Sequence, residues 1–280
     1  MAPDKASLFN QLSKKSMPYI PTSVMELQLA IADEKNSATE LANIAKKDPL
    51  LSADILAHAN NIKTSDGQKI GSLTHAFSYI GRKTISEIVL VSAVKTFKFK
   101  TKSFSSDEFW KKSKITGIIS EQLCRILSKE TEPDQVYLAG ALCNIGKVVA
   151  AICMPEILEK VHNEVSSSSA DCTWNDAEKK ISAPSHCILG EIAASLWGLA
   201  DYIIQTSSQH HDLANIKSDV WLIPEIVGFA NQICHTILGE VTLIEEPLLH
   251  SYMEKAKITE AKSMHFIDEI REKIPADLLA

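Results

Sequence analysis

Apolar residues along this chain recur at intervals of three and four, the period of helices with one buried face, rather than at the two-residue period of strands. The pattern predicts an all-α protein. Ser37-Ala38-Thr39-Glu40 has the form of a capping box, in which the serine oxygen and the glutamate each satisfy a backbone N–H at a helix start; Leu41, Ile44 and Ala45 follow on one face. Asp48-Pro49 reads as a cap followed by proline in the first turn, and it opens a second helix carrying Leu51, Ile55 and Ala59. After a turn at Ser65-Asp66-Gly67, Ser72 caps a short helix that Gly81 ends, and another runs from about Lys83 to Phe97.

The polar stretch from Lys98 to Asp107 separates this helical third from the rest and is the best subdomain boundary in the chain. The expected organisation is an N-terminal helical subdomain over 1–104, a second helical subdomain over 105–243 and a C-terminal helical extension over 244–280. Asp107 is positioned to cap a helix bearing Phe109, Trp110, Ile115 and Leu123. Thr131-Glu132-Pro133 opens one helix reaching Val149. A further helix closes at Gly198, and a Gln-His-His-Asp sequence, 209–212, lies near the end of the one after it.

With 280 residues, 45% of them hydrophobic, the chain can bury a large core. No apolar run is read as reaching the roughly 18 residues of a membrane span, and the first residues lack the apolar core of a signal peptide, which points to the cytoplasm. Six scattered cysteines without a C-x-x-C pair read as reduced thiols. The net charge of −6, with no concentrated basic stripe, argues against nucleic acid as a partner. There is no Walker loop, dinucleotide-binding glycine turn or serine elbow, so the commonest enzyme signatures are missing.

Seven stretches taken in order carry a specific likeness: MPYIPTSVMELQLAI, KKDPLLSADILAHANN, IGSLTHAFSYIGRKTISEIVL, FWKKSKITG, YLAGALCNIGKVV, SHCILGEIAASLWGL and SSQHH, between residues 17 and about 235. Together they resemble the HDOD family, regulatory relatives of HD-domain metal-dependent phosphohydrolases. The resemblance implies an HD-domain-like helical bundle, and in the catalytic relatives a core of imidazoles and carboxylates holding one or two divalent metals that activate water. At the positions it implies for those ligands, this chain has Lys112 after the Phe-Trp pair, Cys143-Asn144 in place of the His-Asp pair, and Asn231 in place of a later carboxylate. Asn144 carries no charge. A lysine beside a divalent ion at about 4 Å repels it by several kcal/mol even at an effective dielectric constant near 20.

What the resemblance retains is His186, the double histidine His210-His211, and Lys147 of the Ile-Gly-Lys turn. With Lys112 these residues make a cationic pocket for a phosphate, carboxylate or nucleotide that is bound and not cut. Against this stand the ordinary fates of histidine, with His186 packed at a helix start and His210 and His211 at a polar surface. Cys143 reads as a small core residue, with a redox sensor as its alternative. Trp174 and Trp221, near polar segments, are the tryptophans better suited to a partner surface.

The expectation is therefore a non-catalytic signal-transduction module of bacterial type. It needs no cofactor and acts by binding a signalling protein, or a small anionic ligand, through a pseudo-active-site cleft. The alternative is a phosphohydrolase acting on a nucleotide or phosphodiester with a rebuilt transition-metal or Mg site, drawing on His186, His210, His211 and carboxylates such as Glu178 or Asp212.

Overall fold

The computed structural model of the protein describes residues 4–14, 21–61, 69–97, 99, 101–167, 172–211, 220–239 and 247–279. The 65–67 turn and Asp212 lie outside the described residues. Among those described, all regular structure is helical. In chain order the helices are α1 (Lys5–Lys14), α2 (Thr22–Ala32), α3 (Ala38–Ala45), α4 (Pro49–Asn61), α5 (Leu73–Ile80), α6 (Arg82–Lys95), α7 (Ser106–Leu127), α8 (Pro133–Leu142), α9 (Ile145–Cys153), α10 (Pro155–Ser167), α11 (Trp174–Lys180), α12 (His186–Leu196), α13 (Asp201–Gln209), α14 (Ile223–Ile237), α15 (Pro247–Lys255), α16 (Glu260–Arg271) and α17 (Ala276–Leu279).

The chain forms two compact units, Pro18–Lys98 and a larger one made of Met1–Met17 with Phe99–Ala280. In the smaller unit, α2 to α6 bury Leu27, Leu41, Ile55, Ala76, Ile85 and Val89 in one core. Each buried leucine, isoleucine or valine among them stabilises by about 1.5–3 kcal/mol relative to exposure. The start signals work as the sequence indicates. Ser37 and Glu40 form the capping box of α3, the Leu51 N–H donates to Asp48 at the head of α4, and the His75 N–H donates to Ser72 at the head of α5. Gly81 has φ +84° and ψ 159°, a combination essentially confined to glycine, so α5 runs straight into α6. Arg82, first in α6, donates to the carbonyls of Ile31 and Asp33 at 3.1 and 3.0 Å and so ties the open end of α2.

The larger unit recruits α1, whose Leu8 and Leu12 are fully buried and whose Lys5 pairs with Glu191 of α12 at 2.7 Å. These first residues therefore group with the second half of the chain, not with an N-terminal subdomain over 1–104. Helices α7, α8 and α14 pack around Ile115, Ile119, Val136, Ala139, Phe229 and Ala230. The region expected as a C-terminal extension shares that core: Leu249, Tyr252, Met253, Ile267 and Ile270 are buried in it. Trp221, expected at a partner surface, is buried there too, with its ring stacked 6.0 Å from Phe229.

Two details bear on the site. Ser105, not Asp107, caps α7, accepting the Glu108 N–H and leaving Asp107 in the first turn, where its charge opposes the helix dipole's positive end. The single helix expected from 131 to 149 is broken at Cys143-Asn144 into α8 and α9. The stretch Gln135–Cys153 spans that break and is, contrary to expectation, long and apolar enough to cross a membrane by length and composition. Of its window, 72% is buried inside the bundle, as in the core of a folded domain.

Candidate functional site

The break between α8 and α9 is where the site begins. It leaves Asn144 at the head of α9, with Lys147 one turn further on. Lys112 of α7, Asn231 of α14 and Trp174 at the start of α11 complete a cleft of about 200 Å³. Asn144 donates from Nδ2 to Asn231 Oδ1 at 3.0 Å and lies 3.3 Å from Cys143 Sγ, while its own Oδ1 is buried without a hydrogen-bond partner. The Lys147 ammonium sits 5.0 Å from the centre of the Trp174 ring. Burial first, and then the positive charge of Lys112, hold the Lys147 pKa down at about 8. One wall is aromatic: Phe104 lies 5.6 Å from Phe109 and 6.1 Å from Trp174 between ring centres.

A second cluster forms where α9, α12 and α13 meet. Gly146 brings α9 against the first turn of α12; a Cβ there would overlap the His186 carbonyl oxygen, so glycine is required by the close approach. His186 is buried, and its Nδ1 faces both carboxylate oxygens of Glu178 at 3.0 and 2.9 Å. Glu178 also accepts from the His186 backbone N–H at 3.0 Å and from the Trp174 indole at 2.9 Å. His210 Nδ1 bonds the Thr206 carbonyl at 3.1 Å, which leaves its Nε2, fully buried, without a partner. The ring centres of His210 and His211 are 4.2 Å apart, and those of His186 and His211 5.2 Å.

Burial, followed by the positive character of neighbouring His186 and Lys147, keeps His210 neutral at ordinary pH, with its pKa well below the usual histidine range. His211 is likewise depressed by burial, then by His210 and His186. Burial opposes charge on Cys187 and His186 as well. Their mutual attraction, aided at His186 by Glu178, outweighs it, so the thiol is lowered and the imidazole raised to about 9.

With this geometry in view, a profile of the HDOD domain matches residues 17–213. The chain belongs to the HDOD domain family. Solved structures confirm the fold. An HDOD domain protein of unknown function from Geobacter sulfurreducens has a TM-score of 0.64 at 20% identity, with 97% of this chain and 99% of that one covered. A Shewanella amazonensis protein provisionally called a phosphohydrolase has a TM-score of 0.68 at 18% identity, over 95% and 94% of the two chains. A protein of Marinobacter aquaeolei provisionally called a signal transduction protein has a TM-score of 0.64 at 16% identity, over 97% of this chain and 59% of that one. An uncharacterised protein of Treponema pallidum is 21% identical over 231 residues; the chain spans 44% of its length.

The dinuclear hydrolytic centre of HD-domain enzymes does not fit the residues the HDOD fold brings to the cleft. Lys112 and Lys147 line it with a single carboxylate, Glu108, and Asn144 and Asn231, uncharged, bond to each other at two positions where the resemblance implies acidic ligands. The fourth position, Cys143, is buried, and that burial pushes its pKa up to about 12, so with no cation beside it the group is a neutral thiol.

Lys112, Asn144, Lys147 and Asn231 thus meet in one cleft, whereas His186, His210 and His211 meet in the second cluster, and Cys143 faces the core. The polar surface weighed for His210 does not hold, because the residue is fully buried. Sequence reasoning gave no role to Cys187 and named Glu178 only as a carboxylate of the rebuilt metal site, not as the group that holds His186. The signals were a cysteine beside a helix-start histidine, and a glutamate eight residues before it.

Proposed function

We propose that the chain is a regulatory HDOD module that binds a small phosphate-bearing ligand in the cleft and does not hydrolyse it, passing the bound state to a signalling partner. The observation that carries this reading is the replacement of ligand chemistry by cation chemistry in the same cleft. Lys112 and Lys147 line it together with the amides of Asn144 and Asn231. Phosphate oxygens gain charge-assisted hydrogen bonds from such a set. The unpartnered Oδ1 of Asn144 gives a ligand hydroxyl an acceptor.

The volume narrows the ligand. A space of about 200 Å³ is below the roughly 300–1,000 Å³ that encloses a drug-sized molecule. It accommodates a phosphoryl group with part of a ring against Phe104 and Trp174, the remainder staying outside. The provisional signalling name of the Marinobacter structure agrees with a regulatory role. Calorimetric titration with adenosine monophosphate and with inorganic phosphate tests the reading. Saturable one-to-one binding, weakened about tenfold or more in Lys147→Met and in Lys112→Met, is expected, since a hydrogen bond to a charged group contributes about 1.5–3 kcal/mol. Equal heats in the parent and both variants would remove the cleft from consideration.

A further inference from the structure

We infer that the turn at 101–105 is a gate on the anion cleft, latched shut by Glu159 of α10, which opens to admit a phosphate-bearing ligand and closes to hold it. The inference rests on the cleft being where that ligand binds, and adds a part of the site that brings no charge to the anion. Ser103, Phe104 and Ser105 line the cleft together with Lys112, Asn144 and Lys147. None of the five residues of the turn is buried, so displacing it disrupts no core.

The turn is built to move as one piece. The Thr101 hydroxyl donates to the Phe104 carbonyl and accepts the Phe104 N–H, both at 3.0 Å, closing a small ring that is complete in itself. Glu159 fastens that ring to α10. Its carboxylate accepts the Lys102 N–H at 2.7 Å, the Ser103 N–H at 3.2 Å and the Ser103 hydroxyl. The bond from the Ser103 hydroxyl, which outweighs burial, holds the Glu159 pKa below the usual carboxylate range. Three charge-assisted bonds therefore converge on one side chain, whose removal releases the turn.

Phe104 closes the gate. Its ring stacks 5.2 Å from Phe99 and lies 5.6 Å from Phe109 and 6.1 Å from Trp174, the ring that also faces Lys147. His162, three residues after Glu159 on the same face of α10, meets Trp174 edge-on at 6.5 Å and lines the cleft as well. The latch and the cleft wall thus share one helix face. A half-buried ring and a few bonds near the surface open locally, at far less cost than global unfolding. With the phosphate inside and the rest of the ligand outside, such a gate sets residence time, because release waits on opening.

The test reads access in the full chain without a ligand. Cys234 is buried and lines the cleft, so its alkylation by iodoacetamide reports opening, while Cys124, buried in the core, is the reference for global unfolding. Glu159→Ala is expected to speed Cys234 labelling about fivefold or more with Cys124 unchanged, and Glu159→Gln, which keeps an acceptor oxygen, to fall between it and the parent. Dissociation of adenosine monophosphate, followed by stopped-flow tryptophan fluorescence, should quicken by a similar factor in Glu159→Ala. A parent chain that binds no adenosine monophosphate would remove the ligand, whereas the gate stands or falls on labelling. If Glu159→Ala does not fold, hydrogen exchange in the parent decides: the Lys102 and Ser103 amides should exchange together and much faster than those of α7. Equal Cys234 labelling in parent and variant, a rise matched by Cys124, or Lys102 and Ser103 amides as slow as those of α7 would overturn the gate.

Discussion

Lys147 joins the electrostatics of the cleft to a pH signature. Its free-state pKa is about 8, held down by burial and by Lys112, and an anion bound beside it would stabilise the cation. Affinity for a phosphodiester, whose charge is constant over this range, should therefore be flat below about pH 8 and fall above it, by up to tenfold per unit, until the bound-state pKa is reached. For folding the sign is opposite. The unfolded lysine, at 10.5, holds more protons across the window from about 8 to 10.5, so this group's contribution to stability rises with pH there. Titrations at pH 6.5, 7.5 and 9 measure the first effect; an affinity that increases with pH would contradict it. At Cys143 and Cys124, pushed by burial to about 12 and about 11, alkylation at pH 7.5 should be negligible while half-buried Cys153 and Cys172 label. Peptide mapping distinguishes them, and fast labelling of Cys143 would revive the redox reading. At this scale the sequence exposed the substitutions at Lys112, Asn144 and Asn231, because they sit inside recognisable words. It could not show that His186, His210 and His211 gather into one buried cluster beside Lys147, since that depends on the closeness of two helices at Gly146.

At the scale of elements, that approach is the feature most open to test. Gly146→Ala puts a methyl group into the His186 carbonyl, so α9 and α12 must move apart. Overpacking of a tight contact typically costs about 1–3 kcal/mol, and here the cost falls on a helix pair that positions both clusters. Urea unfolding of the variant should show a lower midpoint with an unchanged slope; an unchanged midpoint would mean the helices do not touch as described. Helices α14 and α15 are joined by a buried ion pair, Lys255 to Glu225 at 2.8 Å, with Lys255 also 4.7 Å from the Trp221 ring centre. Glu225→Ala leaves an ammonium buried without its counterion and should cost about 3–5 kcal/mol in the same assay, with much of the loss recovered in Glu225→Leu/Lys255→Met. Element starts were partly legible, because Ser37, Asp48 and Ser72 cap helices through short-range bonds that the sequence shows, whereas Ser105 rather than Asp107 caps α7. The break at Cys143-Asn144 was hidden, since the apolar residues on its two sides keep a single helical period. The core role of α15 to α17 was equally hidden, because an amphipathic tail reads alike whether it covers its own domain or another chain.

For the whole molecule, the HDOD fold and its helical class follow from pattern and motif order together, while the function turns on a few side chains that the fold gathers. The chain carries a net charge of −6, yet one small cleft is lined by two lysines, Lys112 and Lys147, against one carboxylate, Glu108. Local charge, rather than the total, selects the ligand there. The measurement that bears most directly on the central claim is a ³¹P NMR titration of a cyclic mononucleotide, a phosphodiester, with the protein in Mg²⁺ buffer, repeated with Lys147→Met. The account predicts a phosphorus resonance that shifts or broadens to one-to-one saturation with the parent chain and barely responds to the variant, with no monoester signal growing in either. A resonance that ignores both proteins, or a monoester product appearing with the parent chain, would contradict it.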